Sequence, residues 1–498
     1  MVARRLDDIT SFDPAESYEF TNNEIDGNCY RRLVAPDPDD ARRLVGDVAA
    51  AWDAAPDGSR FTFHLRPDVT FATGRPVTAD DAAFSLARVV RLDRAPGFII
   101  RQFGWTADNV DRLIRAEDAR TLVLDVPRPA AAGYVLHCLS ANAGSIVDRD
   151  TVRAHAVGDD LGRGWLARHT AGAGPYRLTA FEASDHVTLE RNPHAAGPAR
   201  MARIVLRHVP DPSAQRLLLA RGDVDIARDL TADQLAGLAG DPRFSLVSAA
   251  QATSLYVAMN QAHALLRAPD MIAALKWAID YDGIAAWLTP RTWDVCQSFL
   301  PSCLPGAIGD RPYHHDPDRA RALLARVGVA RGTPVTLDFA TAAPSADIAQ
   351  VIQANLAAIG LAVTLIPGDQ RQVITRTRQR RHQLALMGWG ADYFDPNSNA
   401  QAFCENPDDG EDGPLKIVAW RSHYRDPALD AASRAAGRET DEARRLADYA
   451  ALQRRFMATA PFVMLLQQNA VAALGPGVAG LRLGALPDFT RYGTITRH

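Results

Sequence analysis

The sequence predicts a globular α/β protein built from two or three domains. Its 498 residues are about three times the length of a typical domain. Hydrophobic residues make up 47% and charged residues 23% of the chain, proportions that are ordinary for a globular protein and unlike those of a disordered one. Segments with the alternation of a strand and segments with helical spacing follow one another along the chain, which is the order typical of α/β folds.

The first regular elements are a strand, a turn and a capped helix. Residues 60–66 alternate apolar and polar side chains, as a half-buried strand requires. After a turn-rich segment, Thr78 is placed to cap a helix, and Asp80 and Asp81 would lie in its first turn, where the helix dipole favours acidic residues.

The middle of the chain continues the alternation. A glycine-rich turn at 172–174 leads into a strand. Further elements are predicted as strands over 187–189 and 204–209, a helix over 213–220 that stops at Gly222, and helices over 271–288 and 318–327.

The second half adds a clear βαβ order. It is predicted as a strand over 335–339, a helix over 348–359, and strands over 362–366 and 383–387. Such an order implies a largely parallel sheet. The acidic, glycine-rich segment 406–414 is predicted to be an exposed loop.

Charge and motifs exclude several functions. With 55 basic and 59 acidic residues the formal charge is −4, so the basic footprint of a nucleic-acid-binding protein is absent. The sequence has no phosphate-binding loop, no G-x-S-x-G and no H-E-x-x-H. His314 and His315 could suggest a metal site, but an exposed entry to a helix explains them better. We therefore predict no catalytic residues, no metal and no cofactor.

The cysteines and the N-terminal residues give evidence about the cellular compartment of the protein. Cys296 and Cys303 could close one short loop under oxidising conditions, although unpaired buried thiols are an equal alternative. The N-terminal residues lack the apolar region of a secretory signal, so we expect either a cytoplasmic protein or one whose signal has been removed.

A series of short motifs resembles the family 5 extracellular solute-binding proteins, the dipeptide-, oligopeptide- and nickel-binding receptors of ABC importers. Each motif is weak alone, but their number and order are specific. They are Trp52-Asp53, Asp57-Gly58-Ser59, the segments 61–66, 69–71 and 74–81, Phe84-Ser85, Gly172-Ala173-Gly174-Pro175-Tyr176, Arg191-Asn192-Pro193, Gly222-Asp223-Val224-Asp225-Ile226, Ala278-Ile279-Asp280, Asp316-Pro317 with Ala320, Ala322, Leu323 and Leu324, and Ala460-Pro461.

The resemblance implies a bilobed periplasmic-binding-protein fold of the large, three-domain peptide-receptor subclass, whose lobes close on a ligand like a hinge. It implies the following domains: 1–35, 158–262 and 467–498 as the core of one lobe, 36–157 as an additional domain of that lobe, and 263–466 as the other lobe. It also implies an exported, periplasmic or lipid-anchored monomer that works with a membrane permease and needs no cofactor.

The strongest site candidate is the segment 387–393, with Met387, Gly388, Trp389 and Asp392, which follows the strand over 383–387. It resembles the family segment at the ligand cleft, and Asp392 falls on the aspartate with which peptide-binding members pair the ligand's ammonium group. A buried ammonium needs such a charged partner. The alternatives are that Asp392 caps a turn before Asp395 and that Trp389 is a core residue.

The resemblance also implies three weaker candidates for ligand contact, and the sequence departs from the family pattern in one place. Tyr18, Asn22 and Tyr256 are further predicted ligand contacts. Dipeptide receptors carry an arginine for the peptide carboxylate at a position matched here by Ala346 and Asp347. Either another arginine, such as Arg101, replaces it or the ligand lacks that carboxylate.

The predicted function is therefore a receptor that captures a small amine-bearing solute, a short peptide or similar, for an ABC importer. A non-peptide ligand such as an opine, an aromatic amine or a nickel chelate is the alternative. A hydrolytic enzyme on the same fold is the alternative from another class, although no nucleophile and base pair supports it.

Overall fold

The computed structural model describes residues 1–195, 197 and 199–498. The chain forms two compact units. Unit 1 comprises Met1–Ala249, Asp392–Phe394 and Ala470–His498, and unit 2 comprises Ala250–Ala391 and Asp395–Asn469. The three-part division into 1–35 with 158–262 and 467–498, 36–157, and 263–466 stays a prediction.

The strands of unit 1 are short. The two longest strands of the chain each have residues in both units. In chain order the strands are β1 (Val2–Arg4), β2 (Val34–Pro36), β3 (Leu44–Gly46), β4 (Ala49–Ala54), β5 (Arg60–Leu65), β6 (Ile114–Ala116), β7 (Thr121–Asp125), β8 (Tyr176–Glu182), β9 (His186–Arg191), β10 (Arg203–His208), β11 (Ile226–Ala227), β12 (Ser245–Met259), β13 (Trp293–Val295), β14 (Thr333–Ala340), β15 (Leu361–Gly368), β16 (Leu384–Gly390), β17 (Phe462–Leu474), β18 (Val478–Ala479) and β19 (Thr496–Arg497).

The α-helices are longest in unit 2. In chain order they are α1 (Phe20–Cys29), α2 (Ala79–Leu92), α3 (Phe98–Arg101), α4 (Val110–Leu113), α5 (Ala132–Leu139), α6 (Arg149–Ala154), α7 (Arg163–Leu166), α8 (Pro212–Arg221), α9 (Ala232–Ala239), α10 (Ala264–Arg267), α11 (Pro269–Ala278), α12 (Tyr281–Gly283), α13 (Pro317–Val327), α14 (Ser345–Ala358), α15 (Gln370–Arg378), α16 (Pro396–Cys404), α17 (Val418–Arg421), α18 (Pro427–Arg438) and α19 (Glu442–Thr459).

Unit 1 contains a mixed sheet and a smaller antiparallel one. In the first, the order is β8-β9-β10-β1-β11, and β1 lies parallel to both β10 and β11, whereas β8, β9 and β10 pair antiparallel. In the second, β4, β5, β7 and β6 pair antiparallel. The inward residues of this smaller sheet, including Phe61, Phe63 and Leu124, are fully buried in a core that helix α2 covers.

The sheet of unit 2 has the order β15-β14-β16-β12-β17. Strand β14 lies parallel to β15 and β16, but β12 pairs antiparallel with β16. The prediction of a largely parallel sheet is therefore wrong beyond these three strands. Helices α14 and α15 supply the crossovers that parallel pairing requires, whereas strands distant in sequence join the sheet antiparallel.

Many local predictions are confirmed. Helix α2 begins at Thr78 with a capping box, in which Asp81 Oδ2 accepts the Thr78 amide proton at 2.9 Å. Helix α8 ends at Gly222, whose φ of 79° is the left-handed conformation that glycine adopts without strain. The parallel strands β14, β15 and β16 cover the predicted strand segments of the second half.

Two boundaries differ from the prediction. The helix predicted over 271–288 ends at Ala278, because Ile279 is extended and the Asp280 side chain accepts the Gly283 amide proton at 2.9 Å to start a new turn. The strand predicted over 383–387 continues as β16 to Gly390. Ladder pairing with β12 overrides the low strand propensity of its glycines.

The glycine-rich turn at 172–174 packs against the end of helix α1. A Cβ atom on Gly172 would lie 2.1 Å from the Cys29 carbonyl oxygen, and one on Gly174 would lie 2.4 Å from the Cys29 carbonyl carbon. The glycines are therefore required by close backbone approach.

The helices and the two neighbouring cysteines bear on membrane insertion and disulfide formation. Within the described ranges, no helix combines the length and the apolar composition needed to cross a membrane. Cys296 and Cys303 are both free thiols, and Cys296 Sγ lies 3.6 Å from the Ser298 carbonyl oxygen.

Candidate functional site

The segment Asp392–Phe394 is a short insertion into unit 1, and the residues on either side of it belong to unit 2. Tyr393 is fully buried, and its ring stacks on that of Tyr134 with centroids 6.0 Å apart. Phe394 packs its ring against those of His137 and Phe489, with centroids 5.6 and 5.5 Å apart. These contacts fix the backbone that carries Asp392.

The carboxylate of Asp392 has a defined orientation. The Tyr18 hydroxyl donates a hydrogen bond to Asp392 Oδ1 at 2.5 Å. Asp392 is half-buried, and Tyr18 is 37% exposed. A carboxylate held in this way can accept charge-assisted hydrogen bonds from an ammonium or guanidinium group.

Local structure positions Tyr18 immediately before helix α1. The turn that precedes it is closed by a hydrogen bond of 2.7 Å from the Ser17 amide to the Asp13 carbonyl oxygen. The Ser17 hydroxyl also donates to Asn23 Oδ1 at 3.3 Å. The Tyr18 ring lies edge-on to Phe98, with centroids 6.5 Å apart. Its hydroxyl is thus supported from two sides.

Asn22 lies on the first turn of α1 and is fully buried. Its side-chain amide donates to the Ser11 carbonyl oxygen, and its Oδ1 accepts the Thr10 amide proton at 3.3 Å. The side chain therefore secures the loop before α1, and its contact with ligand stays a prediction.

The remaining predicted residues lie on two paired strands of unit 2. On β16 and β12, Tyr256 faces Met387 and Ser254 faces Trp389. Tyr256 and Met387 are buried, Trp389 is half-buried and Gly388 is exposed. Burial raises the pKa of Tyr256, so its hydroxyl stays protonated at neutral pH.

An aromatic cluster lies behind these strands and is centred on Phe403 of α16. The Phe403 ring lies 5.1 Å from that of Tyr256 and 6.2 Å from that of Trp389, between centroids. Within the described part of the chain, Trp389 Nε1 and Ser254 Oγ are buried without a hydrogen-bond partner. Trp389 thus combines a packed ring with an unused donor. We call this set the Phe403 cluster; its further members are Phe299, Tyr424, Phe456 and Phe462.

The helix cap after the site is provided by Asp395. Its side chain accepts the Asn397 amide proton at 2.8 Å and pairs with the buried Arg445 at 2.5 Å. A backbone amide at the start of α16 is therefore hydrogen-bonded by Asp395, three residues beyond Asp392.

Ala346 and Asp347 lie in the first turn of α14. Their correspondence to the arginine of dipeptide receptors stays a prediction. Arg101 forms an ion pair with Asp93. Tyr393, which stacks on Tyr134, also donates a hydrogen bond to Gln102 Oε1 at 3.4 Å. Sequence reasoning did not identify Gln102 or Tyr134, because no local pattern marks them.

Histidines of unit 2 fit a structural role. His315 Nδ1 lies 2.8 Å from the Ala278 carbonyl oxygen, and His314 lies edge-on to Trp277. In the ranges that the structure describes, no three His, Cys, Asp or Glu side chains converge as a metal site.

Comparison with known proteins identifies the family. The model of the bacterial extracellular solute-binding proteins, family 5 Middle, matches residues 43–411. The chain belongs to this family. The predicted resemblance is confirmed, and a family 5 protein is a solute-binding receptor with the α/β fold of periplasmic binding proteins.

Relatives of this family 5 protein match it over nearly its whole length. It is 27% identical to the probable D,D-dipeptide-binding periplasmic protein DdpA of Escherichia coli K12, with 96% of this chain and 90% of the relative covered. The structure of DppA from Helicobacter pylori in complex with the peptide STSA matches with a TM-score of 0.79 and 23% identity, covering 100% of this chain and 98% of that one. CtaP from Listeria monocytogenes matches with a TM-score of 0.85 and 18% identity, covering 100% and 98%.

Proposed function

We propose that this protein captures a small amine-bearing solute, a short peptide or a similar molecule, and delivers it to the membrane permease of an ABC importer. The observation that carries the proposal is the Asp392 carboxylate, which the Tyr18 hydroxyl orients at 2.5 Å on a firmly packed segment. A preorganised carboxylate binds an ammonium group at little cost in side-chain entropy.

Relatives support this ligand class. The names of DdpA of Escherichia coli and di/tripeptide-binding protein 2 of Pseudomonas aeruginosa refer to dipeptides and tripeptides, and each relative covers 96% of this chain. DdpA is also named as periplasmic, which supports an exported receptor. We propose in addition that this receptor acts as a monomer and catalyses no reaction.

The acidic start of α14 favours a ligand that does not use the standard carboxylate contact. Asp347 would repel a carboxylate placed where dipeptide receptors hold one with arginine. An opine, an aromatic amine or a peptide whose carboxylate is bound elsewhere would meet this condition. Structures of receptors with agropinic and mannopinic acids have the same fold, with TM-scores of 0.76 and 0.78.

Calorimetry with paired ligands tests the proposal. Each di- or tripeptide and each amine is titrated beside its N-acetylated form, against the wild type, Asp392→Asn and the control Asp53→Asn, which changes an aspartate whose side chain is 84% exposed. We expect acetylation to weaken binding at least tenfold in the wild type and in the control, and to have no effect in Asp392→Asn. Equal affinity of the wild type for both forms would contradict the proposal, and turnover of a bound peptide would favour the hydrolase alternative.

A further inference from the structure

A second cavity lies in unit 2, with a volume of about 650 Å³. Its lining includes Arg267, Ile272, His423, Tyr424 and Arg425. This volume falls within the range of roughly 300–1,000 Å³ that is typical of small-molecule sites. We call it the Arg267–Arg425 cavity.

The cavity lies beyond the end of strand β12. Ser254 on β12 faces Trp389, and the chain reaches the cavity seven residues later at Gln261, just beyond the end of the strand. A strand advances about 3.3 Å per residue, so roughly 20 Å separates Ser254 from Gln261. The cavity also adjoins the Phe403 cluster, because Tyr424 belongs to both.

Positive charge dominates the rim. Arg267 and Arg425 are exposed, and in the described ranges neither forms an ion pair with a carboxylate. Their hydrogen bonds go to backbone carbonyl oxygens, from Arg267 Nε to Gln261, from Arg267 Nη2 to Ala262 at 3.2 Å and from Arg425 Nη2 to Pro407 at 3.1 Å. Both guanidinium groups therefore keep donors for another partner.

The acidic residue of the lining is already neutralised. Asp409 forms an ion pair with Arg380, whose side chain is only 4% exposed. Its other oxygen lies 2.8 Å from His423 Nδ1. The charge that remains for a ligand is the positive charge of the two rim arginines.

The floor of the cavity supplies an apolar wall. Pro269, Ile272, Ala458 and Pro461 lie there and can cover a short apolar body.

We propose that the Arg267–Arg425 cavity is a second binding site, specific for a small organic anion that joins a carboxylate to a compact apolar group. The arginines hold the carboxylate, and the apolar wall covers the rest of the ligand. The site is independent of Asp392 and of the solute bound there.

Ligand-observed ¹⁹F NMR tests this with 4-fluorobenzoate and its neutral counterpart, 4-fluorobenzyl alcohol. We expect the benzoate to bind at least tenfold more tightly than the alcohol. The double variant Arg267→Gln/Arg425→Gln should lose at least tenfold in benzoate affinity. Because both arginines are exposed, the double variant is expected to fold, which its melting temperature checks.

Two controls separate this site from the first. Arg454→Gln removes an exposed arginine outside the cavity and should leave benzoate binding unchanged, as should Asp392→Asn. The proposal is overturned by equal binding of acid and alcohol, by no binding of the acid at millimolar concentration, or by full affinity in the arginine double variant. Loss of benzoate binding in Asp392→Asn would place the anion at the first site and would also overturn it.

Discussion

The Tyr18 hydroxyl lies 2.5 Å from Asp392 Oδ1, although 374 positions separate the two residues in the sequence. The chain thus brings a residue near its start to a segment that is packed by Tyr134, His137 and Phe489. The bond joins a neutral donor to a carboxylate, and it restrains the orientation of that carboxylate.

We expect Tyr18→Phe to weaken binding of amine ligands several-fold and to lower the free energy of unfolding by about 1 kcal/mol. The hydroxyl orients the carboxylate in the free protein, and its loss lets Asp392 sample other rotamers. A double-mutant cycle with Asp392→Asn, read by calorimetry and by urea denaturation, measures the coupling. Additive effects on both readouts would show that the hydrogen bond does not orient Asp392.

A buried ion pair in unit 1 is expected to be essential for stability. Arg88 donates from both terminal nitrogens to Asp13, at 2.6 and 2.5 Å, and the two side chains are 2% and 0% exposed. Arg88→Met leaves a buried carboxylate without its partner, so it should lower the free energy of unfolding by about 3–5 kcal/mol. The control Arg454→Gln breaks an exposed pair with Asp310 and should cost less than about 1 kcal/mol. Equal losses in urea denaturation would refute this.

Lys276 should make the free energy of unfolding depend on pH in the alkaline range. It is 2% exposed, and burial lowers its pKa from 10.5 to about 7. Between these values the unfolded chain binds a proton that the folded protein lacks, so the free energy of unfolding rises with pH across this window. Lys276→Met removes that slope.

The advantage of Lys276→Met over the wild type should therefore shrink by roughly 2 kcal/mol between pH 7.5 and 9.5. Urea denaturation of both proteins at the two pH values measures it, and titration of the other groups cancels in the difference. The carbonyl of Met457, which accepts from Lys276 at 2.8 Å, also accepts from the Tyr313 hydroxyl at 3.0 Å and stays satisfied in the variant. A constant difference would mean that Lys276 titrates normally.

His382 should lower the free energy of unfolding at acidic pH. It is 1% exposed, and neither ring nitrogen has a hydrogen-bond partner within the described ranges. Burial, and secondarily the nearby charges of His263, His423 and Arg376, lower its pKa from 6.5 to about 3. Between these values the unfolded chain binds the extra proton, so this group destabilises the fold as pH falls below 6.5.

His382→Phe should thus be less sensitive to acid than the wild type. We expect it to lose roughly 2 kcal/mol less stability between pH 6.5 and 5. The matched control is His64→Phe, which changes a histidine whose side chain is 51% exposed and should follow the wild type. Denaturation at both pH values decides between these outcomes.

Local patterns predicted the local structure well. The Thr78 cap, the Gly222 stop and the alternation over 60–66 each depend on residues within one or two turns, and all three are present. The break at Asp280 was missed because apolar spacing continues past it. The Asp280 amide donates to Asn355 Oδ1 at 3.0 Å, 75 residues away, and not to a carbonyl of the preceding helix.

The site was predictable only in part. The segment around Asp392 was found by its resemblance to a family, whereas its support by Tyr18 and its packing on Tyr134 depend on contacts distant in sequence. The unpaired rim arginines of the second cavity have no sequence signal, because Arg267 and Arg425 resemble the many surface arginines of this chain.

The burial of Tyr393 and Phe394 in unit 1 has a practical consequence for engineering. Their rings secure the main chain beside Asp392, whereas the orientation of the carboxylate depends on Tyr18 and on the partly buried Phe98 ring that packs against it. Libraries aimed at the proposed amine site should therefore retain Tyr18 and Phe98 and vary other positions around them.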